Sequence, residues 1–268
     1  MSSNGRTAED GLVALVTGAA GGIGGAVARG FARAGHDVLA VDRAAAGDEP
    51  SGRHVAPLAG RGDDARGPVV AHRADLSDDA AAAGAVAAAV ERFGRLDVVV
   101  CAHGGSGRRF GDGPVDECTP EGWDATLELN LRTVFLVVRH AVPVLRSAGG
   151  GAIVTVSSVL GLVGGDRDFA THAYAASKGA VIALTRAMAV TYATDGIRCN
   201  VVCPGLIATP MSERAQADPV IRGRLGKLQP LTGDFGRPED VAEAVLHLAT
   251  APFTTGSVVT VDGGWTAR

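Results

Sequence analysis

The 268-residue sequence predicts an α/β fold, a doubly wound parallel sheet with helices on both faces. Short runs rich in valine and isoleucine alternate with helical stretches along the chain. These runs are apolar nearly throughout, as is typical of strands buried on both faces. No linker or internal repeat divides the chain, so we expect one domain over 11–268 after a flexible N-terminus over 1–10.

The predicted strands are short and rich in β-branched residues, which favour an extended backbone. Seven segments meet this description: Val13–Thr17, Val38–Asp42, Val69–Arg73, Val98–Cys101, Ile153–Ser157, Arg198–Val202 and Val258–Val261. Strands of this kind, separated by helices, are typical of a parallel sheet with right-handed crossovers.

Helices are predicted between these strands, where apolar residues recur at helical spacing. They are Gly22–Ala34, Ala80–Phe93, Pro120–Arg146, Ala173–Thr194 and Pro238–Thr250. Two of them begin at proline, which suits the first turn because the N–H there has no partner within the helix.

Two stretches do not follow this alternation. Residues 44–68 are rich in Gly, Ala, Arg, Asp and Pro, which predicts an ordered loop or a poor helix. Residues 206–233 follow the pair Pro204-Gly205 and have mixed polarity. We expect an irregular flap with a short helix there.

Charge and composition exclude several classes of function. Lysine plus arginine is 25 and aspartate plus glutamate is 29, a net charge of −4 that disfavours nucleic acid and anionic membranes as partners. The uncharged run Leu12–Ala28 contains several glycines and fits a strand, a turn and a helix start better than a membrane span. The scattered histidines predict no metal site. Four cysteines without a C-x-x-C pair favour free thiols and a cytoplasmic location.

A glycine-rich turn joins the first predicted strand to the first predicted helix. Gly18 allows the tight turn, Gly22 lets the backbone approach a pyrophosphate, and Gly24 allows close packing of helix on strand. The N–H groups at the start of the helix then face the phosphates. Because the cluster lies between a strand and a helix, it predicts a dinucleotide site.

Asp42 ends the second strand, 18 residues after Gly24. A carboxylate there accepts hydrogen bonds from an adenosine ribose diol and repels a 2′-phosphate. The uncharged Gly21 also favours NAD, whereas Arg43 leaves NADP as an alternative.

Tyr174 and Lys178 are four residues apart and therefore share one helix face. We expect the ammonium group of Lys178 to lower the pKa of Tyr174, because a nearby cation favours the phenolate. Ser158 follows the fifth strand, where its hydroxyl can donate to a substrate oxygen that gains charge. Asn130 is a polar residue within an otherwise apolar helix.

These motifs together resemble the short-chain dehydrogenase/reductase family over nearly the whole chain. The matching residues are TGAAGGIG, Asp75-Leu76, Asn130, VTVSS, YAASK, Pro204-Gly205 with Thr209 and Met211, GRPEDVAEAV and TTGSVVTVDGG. The resemblance implies a Rossmann-type fold and hydride transfer between a nicotinamide cofactor, NAD preferred, and a secondary alcohol or ketone.

The resemblance also implies roles for individual residues. Tyr174 would be the general acid/base, Ser158 would orient the substrate oxygen, Lys178 would also bond the nicotinamide ribose, and Asn130 would hold a relay water. The implied cofactor-binding residues are Gly18, Gly22, Ile23, Gly24, Asp42, Asp75, Leu76, Cys101, Tyr174, Lys178, Ile207 and Thr209.

The sequence departs from the family pattern in two places. Cys101-Ala102-His103-Gly104 stands where the family usually has Asn-Asn-Ala-Gly, so backbone groups or His103 must replace the missing amides. Ser158 and Tyr174 are 16 positions apart, three more than is usual, and the extra residues fall around Asp166-Arg167-Asp168. We expect this longer loop to shape substrate choice; the alternative is a solvated bulge whose charges pair with each other.

Other functions remain open at this point. A catalytically silent dinucleotide-binding sensor or scaffold would share the glycine turn, and a dehydratase or epimerase would share the fold. An NADP-dependent ketoreductase is a further alternative. The helix Ala173–Thr194 is apolar nearly all round, which predicts a homo-oligomer, most simply a homotetramer. Arg108 and Arg109 are a faint indication of an anionic or polar substrate, and a solvated basic pair is the favoured alternative.

Overall fold

The computed structural model describes residues 11–43 and 65–267, which contain a seven-stranded parallel sheet. The strands lie in the order β3-β2-β1-β4-β5-β6-β7. They are β1 (Val13–Thr17), β2 (Asp37–Asp42), β3 (Val69–Arg73), β4 (Val98–Cys101), β5 (Gly151–Val156), β6 (Ile197–Pro204) and β7 (Val258–Val261). This confirms the predicted doubly wound sheet and all seven strands.

The helices cover both faces of this sheet. They are α1 (Gly22–Arg33), α2 (Asp79–Phe93), α3 (Pro120–Leu127), α4 (Thr133–Ser147), α5 (His172–Thr191), α6 (Glu213–Ala217), α7 (Pro219–Leu228) and α8 (Pro238–Thr250). Proline stands in the first turn of α3 and of α8, as predicted.

Two predictions about the helices need correction. The single helix expected over Pro120–Arg146 is divided by a π-helical turn, Glu128–Arg132, because one extra residue is accommodated between α3 and α4. The flap contains two helices, α6 and α7, where one was expected; Asp218 ends the first and caps the second.

Two apolar layers enclose the sheet. On one face, α1 and α8 pack on side chains such as Val16 and Val154. On the other face, α2, α4 and α5 pack on side chains such as Leu15 and Ile153. Neighbouring residues of one strand thus point to opposite cores, which explains why the strands are apolar throughout.

The strand order places a topological switch point beside β1, which has β2 on one side and β4 on the other. In open α/β sheets, ligands bind at the carboxyl ends of the strands at such a point. The predictions for 1–10 and for 44–64 lie outside the described residues. Among the described residues, no helix is long and apolar enough to cross a membrane.

Candidate functional site

The glycine turn after β1 is sterically confined. Gly18 has φ +68°, and a Cβ there would lie 2.7 Å from the Cα of His103, so only glycine fits. At Gly22 a Cβ would lie 2.6 Å from the Cγ2 of Thr209, which places the start of the flap over the turn. Gly21 is the N-cap of α1 and has no side chain to cap the first turn. The turn therefore has the close backbone and open helix start that a pyrophosphate needs.

Three of the other predicted cofactor residues lie at the end of β2 or just after β3, on one side of β1 in the sheet. Asp42 ends β2, and its Oδ2 accepts from the backbone N–H of Ala20 at 3.0 Å. Asp75 is exposed after β3, and hydrogen bonds from Ser77 lower the pKa of its carboxyl group. Leu76 is buried in the core beneath it.

The remaining predicted cofactor residues fall into two groups. Ile23 and Gly24 lie in the first turn of α1, with Gly24 packed closely on Gly18. Cys101 is fully buried at the end of β4, and Ile207 is buried at the start of the flap. All of them thus lie at or beside the carboxyl edge of the sheet.

His103 replaces the amide groups that the family pattern would place after β4. Its Nδ1 lies 2.5 Å from Thr17 Oγ1, and its Nε2 lies 2.8 Å from Thr133 Oγ1. The imidazole therefore links the end of β1, the end of β4 and the start of α4. This confirms the expectation that His103 takes part in replacing those contacts.

The hydrogen-bond network assigns the proton of this ring. Thr133 donates to the Leu129 carbonyl at 2.7 Å, so its oxygen is left to accept from Nε2–H. Thr17 then donates to Nδ1 at 2.5 Å rather than to the more distant Val100 carbonyl at 3.2 Å, and it accepts from the N–H of Ala102. Burial, with a smaller effect of the Lys178 charge, lowers the pKa of His103 to about 3, so the ring is neutral.

Asn130 lies fully buried within the π-helical turn. Its Nδ2 donates to the Thr126 carbonyl at 2.9 Å and to the Gly105 carbonyl at 3.0 Å. Its Oδ1 accepts from the Gly105 N–H at 3.0 Å. The amide thus clamps both backbone groups of Gly105 and fixes the segment that follows β4.

Ser158 and Tyr174 meet at the carboxyl end of β5. The Ser158 side chain lies next to the Tyr174 phenol, whose pKa it acts to lower, and the Ser158 hydroxyl accepts from the N–H of Leu160 at 3.2 Å. Tyr174 stands in the first turn of α5 and is partly exposed. The pair therefore presents two hydroxyl groups to one side of the crevice.

Lys178 lies one turn further along α5 and is buried. Its Nζ donates to the Val156 carbonyl at 3.0 Å and lies 5.7 Å from the centre of the Tyr174 ring. Burial lowers the pKa of Lys178 to about 8, and the nearby thiols of Cys203 and Cys101 act in the opposite direction. The side chain thus keeps a cation beside the phenol at neutral pH.

The expected effect of Lys178 on Tyr174 needs correction. Burial raises the pKa of Tyr174 to about 12, while the hydrogen bond with Ser158 acts to lower it and Cys203 acts to raise it. Loss of hydration is the largest cause of this rise, and the Lys178 ammonium group bonds to a backbone carbonyl rather than to the phenol. The phenol therefore holds its proton at neutral pH.

The longer loop before α5 is anchored at several points. Asp166 and Asp168 both form ion pairs with Arg224 of α7, and Phe169 is buried edge-on against Trp265 with ring centres 5.2 Å apart. Its charges therefore pair with the flap rather than with each other.

Two arginines reach the same point of this loop. Arg108 and Arg214 both donate to the carbonyl oxygen of Asp168, at 3.0 and 2.8 Å. Partial burial, and next the charge of Arg214, lower the pKa of Arg108. Two cations thus converge where the loop, the flap and the segment after β4 meet.

Sequence reasoning missed two supporting residues. Thr133 bonds His103, and Asp112 bonds the start of α5. Each contact joins distant parts of the chain, so no local motif indicates it. In the described ranges, no group of three or more His, Cys, Asp or Glu residues could hold a metal ion.

The residues present fit a dinucleotide. The glycine turn leaves space that side chains would fill, the start of α1 faces it, and Asp42 lies at its edge. At the far end of the same crevice lie Ser158, Tyr174 and Lys178. This arrangement can bind a nicotinamide cofactor next to a proton donor.

Comparisons with known proteins agree with this geometry. A family model described as "Enoyl-(Acyl carrier protein) reductase" matches residues 18–266. The cis-4-hydroxycyclohexanecarboxylate dehydrogenase of Sinomonas cyclohexanicum is 39% identical over 257 residues, which cover 95% of this chain and 96% of the relative.

Solved structures show the same likeness. A protein described as a short-chain dehydrogenase/reductase from Burkholderia xenovorans superposes with a TM-score of 0.84 at 35% identity, covering 98% of this chain and 99% of that one. A protein described as an NAD(P)-dependent gluconate 5-dehydrogenase from Beutenbergia cavernae, with NADP bound at low occupancy, gives 0.80 at 34% identity and covers 96% and 98%.

The family model and the relatives thus match almost the full length of a chain that folds into one seven-stranded parallel sheet. The chain belongs to the short-chain dehydrogenase/reductase family, and it is an oxidoreductase that acts on alcohols or ketones with a nicotinamide cofactor.

Proposed function

We propose that this enzyme transfers a hydride between NAD and a secondary alcohol or ketone, with Tyr174 as general acid/base. The observation that carries the proposal is the grouping of Ser158 and Tyr174 with the buried Lys178, whose Nζ lies 5.7 Å from the centre of the Tyr174 ring. These groups lie at the edge of the sheet where the glycine turn faces the crevice.

Each residue of the site has a distinct role in this proposal. The Ser158 hydroxyl bonds to the reacting oxygen of the substrate and orients it. The Tyr174 phenol gives a proton to that oxygen in reduction and takes one from it in oxidation. Lys178 stabilises the phenolate that forms when the proton leaves. When bound, the nicotinamide supplies or accepts the hydride.

Asn130 and His103 hold the site together in this scheme. The Asn130 side chain is engaged with Gly105 and Thr126, so it keeps the segment after β4 in place. A relay water would therefore use the second lone pair of Asn130 Oδ1 or a main-chain carbonyl of the π-helical turn.

The preference for NAD rests on Asp42. Its carboxylate is held beside the turn by the N–H of Ala20, where the adenosine ribose would lie. A carboxylate there opposes a 2′-phosphate by a few kcal/mol, or about a hundredfold in affinity. Uncharged Gly21 adds no anchor for that phosphate.

The experiment that tests the proposal is a panel of secondary alcohols, cyclic and acyclic, with and without a carboxylate, assayed with NAD and with NADP. Carboxylated alcohols belong in the panel because Arg108 and Arg214 converge near the crevice, and because the Sinomonas relative carries a carboxylated substrate in its name. We expect turnover with a higher kcat/KM for NAD. Equal or better kcat/KM with NADP would overturn the cofactor assignment.

The matching variant is Tyr174→Phe, which keeps the ring and removes the transferable proton. We expect turnover to fall at least a thousandfold, on the order of what loss of acid–base catalysis costs. Binding of NADH, followed by fluorescence, should be nearly unchanged. Substantial activity in Tyr174→Phe would refute the role of the phenol.

A homotetramer in the cytoplasm completes the proposal. The layer formed by α3, α4 and α5 exposes large apolar side chains, with Trp123 37%, Phe135 45% and Val190 81% exposed, and this apolar surface supports association. Four unpaired thiols support a reducing compartment. Sedimentation should give a particle four times the chain mass of 27.0 kDa. A 27.0 kDa species at micromolar concentration would contradict the tetramer.

A further inference from the structure

The first turn of α5 has an unusual source of capping. The first N–H groups of a helix lack partners within it, and a Ser, Thr or Asp at the N-cap commonly accepts from one of them. Thr171 occupies the N-cap of α5 but makes no such bond with its side chain. The cap comes instead from a segment about 60 residues earlier in the chain.

Asp112 provides that cap with both carboxylate oxygens. Oδ1 accepts from the N–H of Ala173 and Oδ2 from the N–H of Tyr174, both at 3.0 Å. The preceding N–H, of His172, donates to the Gly113 carbonyl at 3.0 Å. The backbone of Tyr174 is therefore fixed directly by a side chain from another part of the fold.

Asp112 is itself held firmly. Its side chain is buried, with the residue only 5% exposed. Its backbone N–H donates to the Gly107 carbonyl at 3.1 Å, and Gly107 packs so closely on Thr126 and Asp112 that no larger residue fits. A buried carboxylate that accepts two backbone N–H groups at a helix start is favoured by both hydrogen bonding and the helix dipole.

The same segment also meets Asn130. Asn130 clamps the backbone of Gly105 at one end of the segment, and Asp112 holds α5 at the other end. The residues from 105 to 113 thus form a short connection between the π-helical turn and the tyrosine helix. A change at Asp112 would move Tyr174 relative to the rest of the site.

We propose that Asp112 is a positioning residue for Tyr174: by chelating two N–H groups of the first turn, it sets where the phenol lies against Ser158 and the substrate oxygen. The inference rests on the proposed role of Tyr174 as general acid/base. Misplacing a reacting group by about 1 Å costs up to about a hundredfold in rate. Asp112 does not touch the glycine turn, so cofactor binding should not depend on it.

Two variants and a matched control test this. Asp112→Ala removes both acceptors, and we expect kcat to fall about 10- to 100-fold. Asp112→Asn keeps one acceptor oxygen and turns an N–H donor toward a backbone N–H, so its kcat should lie between those of Asp112→Ala and the wild type. Asp116→Asn, at an exposed position of the same loop, should match the wild type.

The measurements are kcat, KM, the Kd of NADH, the melting temperature and the solvent deuterium isotope effect on kcat. We expect a lower kcat with Kd within about twofold, and a larger isotope effect because proton transfer becomes more rate-limiting. A kcat within twofold of the wild type in a folded Asp112→Ala protein would overturn the proposal. A fall in kcat with a weaker affinity for NADH and an unchanged isotope effect would also overturn it. That result is what a merely structural role would produce.

If Asp112→Ala does not fold, Asp112→Asn decides by the same criteria. Tyr174→Phe, measured alongside, separates this inference from the proposed function. An active Tyr174→Phe protein means that the general acid/base has been misassigned. An inactive Tyr174→Phe protein beside a fully active Asp112→Ala protein means that only the positioning role is wrong.

Discussion

Two parts of the crevice are stabilised in different ways. The floor, formed by the ends of β1, β4 and β5 and the start of α5, is held by buried and partly buried hydrogen bonds, such as those of His103, Asn130 and Asp112. The flap, residues 206–233, is buried at its base, where Gln229 bonds the backbone of Leu206. Its helix α7 packs Ile221 and Leu228 in a small apolar cluster with Phe169 of the longer loop, and partly exposed ion pairs join Arg224 to that loop.

The hydrogen bonds of the floor and the ion pairs of the flap contribute different amounts to stability. Removing one partner of a buried hydrogen bond leaves the other unsatisfied and costs about 1–3 kcal/mol. The ion pairs of the flap join Arg224, 36% exposed, to Asp166 and Asp168, 46% and 32% exposed. Exposed pairs contribute roughly 0–1 kcal/mol each and are screened by salt. The floor can therefore fix the chemistry, while the flap can vary with the substrate.

The largest expected effect is a loss of folding stability in acid, caused by protonation of His103 in the floor. Burial lowers the pKa of His103 to about 3, whereas an unfolded histidine titrates near 6.5. Between these values the unfolded chain binds one more proton than the folded one. This contribution to stability is present above pH 6.5 and is lost as the pH falls toward 3, by up to about 1.4 kcal/mol per pH unit.

The variant His103→Asn removes this titrating group while keeping a polar side chain. We expect the variant to have a lower melting temperature than the wild type at pH 7. Its melting temperature should also decline less steeply as the pH falls from 6.5 to 4. Thermal denaturation across that range measures the melting temperature and its dependence on pH. Subtracting the curve of the variant from that of the wild type cancels the carboxyl titrations that both proteins share. His247→Gln, at an exposed histidine, controls for substitution alone. Parallel curves for His103→Asn and the wild type would show that His103 is not buried in a neutral form.

The sequence predicted those parts of the fold and site that depend on neighbours along the chain. The strands are apolar because both faces are covered, and the glycine turn lies between a strand and a helix. Tyr174 and Lys178 share a helix face because they are one turn apart. Spacing alone therefore indicated these features.

The parts that escaped prediction depend on long-range contacts. Asp112 and Tyr174 are separated by 62 residues, and His103 and Thr17 by 86, so no local pattern indicates that they meet. The π-helical turn Glu128–Arg132 lies within one continuous helical stretch of the sequence, and no residue type there marks where the extra residue is accommodated. The pKa of Tyr174 rises because the folded chain buries the phenol, and residue spacing along the sequence does not report burial.

The smallest expected effect concerns the flap. Arg224→Met removes both ion pairs with the longer loop but keeps much of the apolar stem, so the protein should fold normally. The Arg224 guanidinium also holds the pKa of Asp166 below its usual range, in keeping with a formed pair. We expect kcat/KM to change about two- to tenfold, by different factors for different substrates, because two exposed pairs contribute at most about 2 kcal/mol.

The affinity for NAD should not change, since Arg224 lies away from the glycine turn. Arg222→Met, at an exposed arginine of the same helix, is the matched control, and deletion of Asp166-Arg167-Asp168 should alter the substrate profile in a similar way. Raising the ionic strength should shift the wild-type profile toward that of Arg224→Met, because salt screens exposed pairs. If Arg224→Met and the deletion variant both fold and keep the substrate profile of the wild type, the longer loop is a structural bulge. Specificity is then set elsewhere in the crevice.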